Sequence, residues 1–313
     1  MDLTEFLTTL PLGKVHRIKK YSSGQHNQTF LVTSSKGKFS LRIFNYKKPA
    51  QIRFEIAILL LLKGLDAPQL VELNNGFIEK FGKKYVIAYR YLPGKHLLSF
   101  NSPQLNEVGE FIADFHNRCK GFTWKKWRYQ FYYLPDWKIN KFERISKKAG
   151  LKHLELLQSI ISELKENRLP RSLPRGPIHV DIKPENTLFQ NGKLSGVIDF
   201  DNSFVGPLVL DLAKSMVWFG TSKKKFILND ALQVYYGYIK NKPLSKEEFS
   251  VLYKAIKFAF LSHIFVDYYM RAIKATSEEY FEWIINDLYE SYLSFELSEQ
   301  EFYETLKNGS LYD

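Results

Sequence analysis

The chain has 313 residues and a formal net charge of +12, and 45% of its residues are hydrophobic, 16% aromatic and 25% charged. This composition excludes a disordered chain and supplies enough core material for two lobes that share a cleft. The single cysteine, Cys119, excludes an intrachain disulfide and favours the cytoplasm, and the N-terminus has no signal-peptide pattern. The longest apolar run, Ile56–Leu62, is far short of the ~20 residues of a membrane-spanning helix, so we predict no membrane span.

The N-terminal third is predicted to be rich in β-strands. The predicted strands cover 29–33, 39–44, 70–79 and 85–91. The first two flank the turn 34–38 and form a hairpin, and a helix is predicted over 51–63 because Pro49 precedes this stretch and Gly64 follows it. The dipeptide Pro93-Gly94 then ends the β-rich pattern.

Beyond this break the sequence favours helices. Apolar residues recur at helical spacing in 105–115, 151–164, 231–239, 251–269 and 281–293. A single β-rich segment interrupts these helices, with one strand before and one strand after the turn 190–193. We therefore predict an α+β, bilobal fold: a small β-rich lobe with a hinge, residues 1–92, and a larger, mainly helical lobe, residues 93–313.

The strongest functional signal is the string His179-Val180-Asp181-Ile182-Lys183-Pro184-Glu185-Asn186, which is followed by Asp199 at the end of an apolar strand. In phosphoryl transfer, one carboxylate orients the attacking hydroxyl and accepts its proton, while an amide oxygen and a second carboxylate hold Mg²⁺. We predict Asp181 as the catalytic carboxylate, with Asn186 and Asp199 as magnesium ligands at the same end of the 186–200 hairpin. Lys183 either contacts the transferred phosphate or is a surface lysine, and His179 is predicted to brace the loop. Asp181 or Asn186 taken alone would fit a turn cap equally well.

These motifs resemble the aminoglycoside phosphotransferase/choline kinase family, which has a protein-kinase-like fold. Within it, residues 195–202 and 206–213 are most similar to the type II homoserine kinase branch. The resemblance covers about residues 21–218 and implies ATP-dependent transfer of the γ-phosphate to a hydroxyl of a small molecule. The chain departs from the family at Val180, because the family usually has glycine there.

The resemblance also implies roles for residues that the spacing alone does not single out. Residues 22–29 correspond to the turn that covers the nucleotide, Arg42 with Glu55 to the pair that holds its phosphates, and 89–92 to the hinge that binds adenine. Asp201 corresponds to a second acidic residue near the metal, Asp211 to a helix N-cap and loop brace, and His116 to a packed histidine. The cofactor-binding positions implied in this way are Ser23, Gly24, Asn27, Arg42, Glu55, Tyr89, Arg90 and Leu92.

The acceptor is the open part of this prediction. A homoserine-like amino alcohol is favoured, and aminoglycosides, choline and ethanolamine are alternatives. Residues 277–313 carry −9 and the rest of the chain +21, and a basic body argues mildly against a polycationic acceptor. Two segments are candidates for the acceptor site, the aromatic and cationic stretch 120–148 and a helical face with His263, Asp267, Tyr268 and Arg271. Ordinary amphipathic packing explains both equally well.

Other classes of protein fit the sequence less well. The chain has no phosphate-binding P-loop motif, and the short distance from Asp199 to Asp211 leaves no room for the activation loop of a protein kinase. A single cysteine opposes a cysteine-rich zinc site. A non-catalytic module that binds a nucleotide or nucleic acid stays an alternative, since the basic surface suits it, but the complete acid-amide-acid set opposes it.

Overall fold

The computed structural model describes residues 2–21, 27–45, 47–124, 132 and 134–309. The chain divides into two compact units that interleave along the sequence. The N-terminal unit comprises 1–97, 118–128 and 185–201, and the C-terminal unit comprises 98–117, 129–184 and 202–313. The division into domains 1–92 and 93–313 stays a prediction, because compactness alone does not establish an independently folding domain.

The first 90 residues contain most of the longer β-strands, and most of the elements after them are helices. The strands are β1 (Val15–Lys20), β2 (Asn27–Ser34), β3 (Gly37–Phe44), β4 (Leu70–Val71), β5 (Glu79–Phe81), β6 (Lys84–Arg90), β7 (Arg175–Ile178), β8 (Thr187–Gln190), β9 (Lys193–Val197), β10 (Phe204–Pro207), β11 (Thr221–Ser222) and β12 (Lys225–Phe226). The α-helices are α1 (Leu3–Thr9), α2 (Pro49–Leu61), α3 (Ser102–Arg118), α4 (Asp136–Lys148), α5 (Leu154–Glu166), α6 (Leu208–Gly220), α7 (Leu228–Asn241), α8 (Lys246–Ser250), α9 (Leu252–Ala272), α10 (Glu278–Trp283), α11 (Tyr289–Leu293) and α12 (Glu299–Gly309). Short 3₁₀-helices cover Pro184–Asn186 and Phe200–Asn202, and a π-helical turn covers Ile284–Leu288.

A six-stranded antiparallel sheet forms the centre of the N-terminal unit. Its order is β1-β2-β3-β6-β4, and β5 pairs with β6 as well. Alternate residues of β2 and β3, including Val32 and Leu41, are buried against Phe6 and Leu7 of α1, as period-two strands with one apolar face require. The predicted β2–β3 hairpin is present, and the helix predicted over 51–63 forms as α2.

The β8–β9 hairpin also belongs to the N-terminal unit. Its turn residues Asn191 and Gly192 both have positive φ, 53° and 80°, as a tight two-residue hairpin turn requires. Pairing continues to the ends of the strands, where Thr187 faces Val197. The backbone N–H of Ile198 donates to the carbonyl of Asn186 at 2.9 Å. The hairpin therefore brings Asn186 and the residues after Ile198 to one end.

The C-terminal unit is built around the buried helix α6, which packs against α7 and α9. Helix α3 crosses α7 so closely that a Cβ on Gly109 would lie 2.0 Å from the carbonyl oxygen of Val234, and one on Gly237 would lie 2.0 Å from that of Asn106. Only glycine allows this approach of the two backbones. The short antiparallel pair β7–β10 leads directly into the loop after Ile178 and into α6. Within the described residues, no helix combines the length and the apolar character needed to cross a bilayer.

Candidate active site

The loop that follows β7 is held by one buried carboxylate. Asp211 accepts hydrogen bonds from the backbone N–H groups of His179 at 2.9 Å and of Val180 at 2.5 Å. Its Oδ2 also accepts from Nε2 of His116 at 3.1 Å, and Nδ1 of this histidine lies within hydrogen-bond distance of the hydroxyl of Tyr238, at 2.9 Å. Asp211 is not a helix N-cap, because α6 begins at Leu208 with Pro207 as its N-cap; it acts as a loop brace.

Val180 takes a backbone conformation that valine seldom adopts. Its φ is +67°, in the left-handed region that favours glycine, and its side chain is buried. A β-branched residue is strained there, so the surroundings must stabilise the conformation. The hydrogen bonds that the N–H groups of His179 and Val180 donate to Asp211 do so.

Asp181 lies next in this loop, in the C-terminal unit. Its backbone N–H donates to Nδ1 of His179 at 3.3 Å, and its Oδ1 lies 3.2 Å from Nζ of Lys183. The Asp181 side chain is 11% exposed and that of Lys183 21% exposed. The two predicted catalytic residues are therefore neighbours, and the braced backbone fixes the position of the carboxylate.

A second cluster of charges lies in the N-terminal unit, around Arg42 of β3. One guanidinium nitrogen of Arg42 lies 2.8 Å from Asp199 and 3.2 Å from Asp201, and the other lies 3.9 Å from Glu55 of α2. Lys47 lies 2.7 Å from Asp201 and 3.5 Å from Glu55. Three carboxylates thus surround two cations, and the neighbouring carboxylates raise the pKa of Arg42 even though burial acts in the opposite direction.

Glu55 is fixed by a partner that the sequence did not indicate. The hydroxyl of Tyr89, on β6, donates to Oε1 of Glu55 at 2.7 Å in a buried position. Burial raises the pKa of Glu55, and the charge of Asp201 adds to this, against the opposing effects of Lys47 and Arg42. The side chain of Tyr89 therefore positions the partner of Arg42, whereas the sequence assigned this residue to the hinge through its backbone.

The remaining predicted nucleotide-binding residues are distributed around this sheet. Asn27, at the start of β2, donates from Nδ2 to Oδ2 of Asp201 at 2.5 Å. Arg90 is exposed, and its backbone N–H donates to the carbonyl of Gln69 at 2.8 Å. Leu92 packs near the glycine of β9, where a Cβ on Gly196 would lie 3.1 Å from its Cδ1. Ser23 and Gly24 lie outside the described residues, and the adenine-binding role of 89–92 stays a prediction.

The oxygen donors at the end of the β8–β9 hairpin suit a magnesium ion. Asn186 is buried at this end, while Asp199 follows the hairpin with a φ of +69° and a side chain that is 39% exposed. In the described part of the chain, no three histidine, cysteine, aspartate or glutamate side chains gather closely enough to hold a metal by themselves. Mg²⁺ usually takes few protein ligands and completes its shell with water and phosphate oxygens, so carboxylates with one amide fit it.

Sequence reasoning missed two lysines. Neither Lys47, between β3 and α2, nor Lys214 of α6 was considered, although Lys214 is fully buried. Its Nζ donates to the carbonyl of Ala259 at 3.0 Å and lies 4.0 Å from the ring centroid of Tyr132. The sequence signal that could have indicated the buried position of Lys214 is that it lies three residues after Asp211 in a helix whose other residues are mostly apolar.

Of the four candidate acceptor-site residues on α9, two contact each other and the other two contact residues elsewhere. His263 and Asp267 are both buried, with Nε2 of the histidine 3.2 Å from Oδ2 of the aspartate. Tyr268 instead donates to the carbonyl of His153 at 2.8 Å, and Arg271 pairs with Glu278 at 3.2 Å. In the stretch 120–148, α4 is described, and the aromatic residues at 127, 129, 131 and 133 lie outside the described residues.

Comparison with known proteins identifies the family. The model of the phosphotransferase enzyme family matches residues 17–243. A homoserine kinase of Chelativorans sp. (strain BNC1) is 27% identical over 266 residues, which cover 80% of this chain and 79% of that protein. A homoserine kinase of Methylocella silvestris is 28% identical over 257 residues, which cover 79% of this chain and 78% of that protein.

Solved structures show the same fold. An aminoglycoside phosphotransferase from Alicyclobacillus acidocaldarius superposes with a TM-score of 0.62 at 16% identity, covering 97% of this chain and 94% of its own. Spectinomycin phosphotransferase APH(9)-Ia, solved with ADP and spectinomycin, gives a TM-score of 0.59 at 13% identity over 93% of this chain and 97% of its own. These neighbours confirm the predicted α+β, protein-kinase-like fold. The chain therefore belongs to the phosphotransferase enzyme family, and it is a small-molecule kinase with a hydroxyl acceptor.

Proposed function

We propose that the protein transfers the γ-phosphate of ATP to the side-chain hydroxyl of homoserine or of a closely similar amino alcohol. The observation that carries this proposal is the pairing of Asp181 with Lys183 in a loop held by Asp211, in a chain that aligns with homoserine kinases over four-fifths of its length. A carboxylate at that position is the group that phosphoryl transfer to an alcohol requires.

The chemical step needs little from the protein beyond position and charge. The acceptor oxygen forms a bond to the γ-phosphorus while the bond from that phosphorus to the β–γ bridging oxygen breaks, and ADP leaves. Asp181 orients the hydroxyl and takes its proton. Lys183, 3.2 Å from that carboxylate, contributes positive charge beside the transferred group.

The N-terminal cluster supplies the groups that would bind the nucleotide. Arg42, supported by Glu55, is suited to hold phosphate oxygens because a guanidinium donates two parallel hydrogen bonds. Asn186 and Asp199, with Asp201, would hold magnesium, which supplies positive charge to the phosphates when bound. Four residues separate Asp181 from Asn186 in the sequence, so one short segment carries both functions.

Replacing Asp181 with Asn tests this proposal. The amide keeps the size of the side chain but cannot accept the proton, so we expect kcat to fall by about 10²–10⁴-fold. ATP affinity, measured by titration with Mg·ATP, should stay close to that of the unmodified protein. The matched control is Asp136→Asn, which changes an exposed aspartate of α4 paired with Arg168 and should leave kcat unchanged. Normal turnover in Asp181→Asn would refute the assignment.

The acceptor is tested with a panel of hydroxyl compounds. ATP consumption coupled to ADP detection is measured with homoserine, choline, ethanolamine, sugars and aminoglycosides. The proposal requires kcat/KM to be highest for homoserine. Preference for an aminoglycoside would contradict it, and nucleotide binding without turnover of any acceptor would favour a non-catalytic nucleotide-binding protein.

A further inference from the structure

A continuous set of polar and aromatic side chains leads from the catalytic loop to helix α9 within the C-terminal unit. Nζ of Lys183, which pairs with Asp181, lies 5.3 Å from the ring centroid of Trp218 on α6. This indole meets the ring of His263 edge to face at 4.7 Å, and the histidine in turn lies beside Asp267. The catalytic carboxylate is thus linked through contacts to a buried acid on α9.

Lys214 brings a second buried cation to the same set. Its ammonium interacts electrostatically with Asp181, Asp267 and Lys183, and burial lowers its pKa to about 7. An ammonium has three N–H donors, but among the described residues its one hydrogen-bond acceptor is the carbonyl of Ala259. A buried lysine with so few partners is costly unless an anion completes them. Its position therefore suits an oxygen-bearing anionic ligand.

Trp218 supplies an independent observation of the same kind. Its side chain is 8% exposed, and its indole Nε1–H has no hydrogen-bond partner among the described residues. Buried donors are almost always paired in folded proteins, so an unpaired one needs an explanation. A ligand oxygen that accepts from Trp218 provides it. Tyr132 connects Lys214 to the same set, because its ring lies 4.0 Å from Nζ of Lys214 and its hydroxyl lies 3.0 Å from Nδ1 of His263.

Asp267 offers the opposite charge. Its side chain is buried, and burial raises its pKa to about 7 against the lowering effect of Lys183 and Lys214. Burial, Lys214 and Lys183 lower the pKa of the neighbouring His263 well below its usual value, which favours the uncharged imidazole. The set therefore contains two acids, Asp181 and Asp267, and two amines, Lys183 and Lys214. A bound carboxylate raises the pKa of Lys214 and a bound ammonium lowers that of Asp267, so a zwitterionic ligand favours the charged form of both.

We propose that this set is the acceptor pocket and that it selects a zwitterionic α-amino acid: Lys214 and the indole N–H of Trp218 bind the α-carboxylate, Asp267 binds the α-ammonium, and the side-chain hydroxyl reaches Asp181. The proposal rests on the proposed function and deepens it by assigning the acceptor contacts. A neutral balance of buried charges suits a zwitterion, whereas a polycationic acceptor calls for an excess of carboxylates.

The test compares three acceptors that differ by one charged group. L-Homoserine carries both groups, 3-aminopropan-1-ol lacks the carboxylate, and 4-hydroxybutanoate lacks the ammonium. Steady-state kcat/KM is measured for each with saturating Mg·ATP and the full-length protein. Since a site built to pair with a polar group strongly rejects the analogue that lacks it, we expect homoserine to be preferred by at least about 100-fold over both.

The variants connect each preference to a residue. Lys214→Met should lower kcat/KM for homoserine by about 100-fold but that for 3-aminopropan-1-ol by less than about threefold, so that the preference collapses. Trp218→Phe, which keeps the ring and removes the N–H, should weaken the same preference and serves if Lys214→Met does not fold. Asp267→Asn should abolish discrimination against 4-hydroxybutanoate. The matched control is Lys138→Met, a buried lysine of α4 outside this set, which should keep every preference.

The outcomes separate this proposal from the proposed function. If the unmodified protein prefers homoserine and Lys214→Met lowers activity on homoserine and 3-aminopropan-1-ol equally, Lys214 is structural and only the pocket assignment is wrong. If the unmodified protein uses 3-aminopropan-1-ol as well as homoserine, a carboxylate site is excluded. If it uses neither and phosphorylates an aminoglycoside instead, the proposed function fails and the pocket assignment fails with it.

Discussion

Replacing Asp211 with Ala removes the brace of the loop that carries Asp181, the proposed catalytic carboxylate. Asp211 is fully buried on α6 and accepts from two backbone N–H groups, those of His179 and Val180, and from the imidazole of His116. Alanine leaves these donors without a partner in a site closed to water. It also removes the hydrogen bonds that hold Val180 at a φ of +67°.

The size of the effect follows from these contacts. Each buried donor left without a partner costs about 1–3 kcal/mol, and three donors are affected: two backbone N–H groups and the imidazole of His116. Relaxation of Val180 out of the left-handed region recovers about 1–2 kcal/mol. We therefore expect the free energy of unfolding to fall by about 4 kcal/mol. Because a misplacement of about 1 Å costs roughly 100-fold in rate, we expect kcat to fall by at least that factor as Asp181 loses its fixed position.

Two measurements on the same preparation check this. Urea unfolding gives the change in stability, and steady-state kinetics with homoserine gives kcat and KM. ATP affinity should change by less than about twofold, because the hydrogen bonds of Asp211 go to His179, Val180 and His116 and not to the charged cluster around Arg42. Asp211→Asn keeps the volume and one acceptor oxygen and should give intermediate losses. Glu166→Ala, at an exposed carboxylate of α5, should stay within about 0.5 kcal/mol of the unmodified protein.

The reasoning is refuted by either of two results. An unchanged urea midpoint for Asp211→Ala would mean that the loop N–H groups find other partners at no cost. A normal kcat in a destabilised variant would mean that the position of Asp181 does not depend on this brace.

Two further predictions concern the charged clusters. Arg42→Met should raise KM for ATP by about 10–100-fold, the range for lost hydrogen bonds to charged groups, and leave KM for homoserine nearly unchanged; equal changes in both would contradict a phosphate-binding role. Burial raises the pKa of Asp267 from 3.8 to about 7. Between these two pH values the folded protein keeps a proton on Asp267 that the unfolded chain has released. The free energy of unfolding therefore falls as the pH rises from about 4 to 7. Between pH 4.5 and 6.5 this dependence is worth about 2.5 kcal/mol in urea unfolding. Asp267→Asn should remove it, and a retained slope would place its origin elsewhere.

The sequence predicted those parts of the fold that depend on local pattern. The β8–β9 hairpin follows from a turn whose residues, Asn191 and Gly192, accept positive φ, and α2 follows from a proline before an apolar run. The pair β7–β10 could not be found in this way. Each of its strands has four residues and contains both glycine and proline, for example Gly176 and Pro177, so the local signals indicate turns. Pairing between distant segments overrides them.

The candidate-site residues also differ in whether local sequence pattern indicates them. The motif string indicated Asp181, Asn186 and Asp199 because phosphoryl transfer restricts the residue types and their spacing. Lys214 gave no comparable signal, since lysine is almost never fully buried and a lone lysine in a helix is expected at the surface. Its burial is decided by how α6 packs against α9, which is tertiary information.

Acceptor selectivity shows most clearly why whole-chain properties are a poor guide to a pocket. The sequence argument set the +21 of the first 276 residues against a polycationic acceptor, but solvent-exposed charges farther away than about 8–10 Å are largely screened at physiological ionic strength. Buried charges in contact with a ligand are hardly screened, so Lys214 and Asp267 outweigh many surface lysines. In the proposed pocket, the balance of these few groups discriminates between acceptors, and two amines beside two acids favour a ligand that carries one charge of each sign.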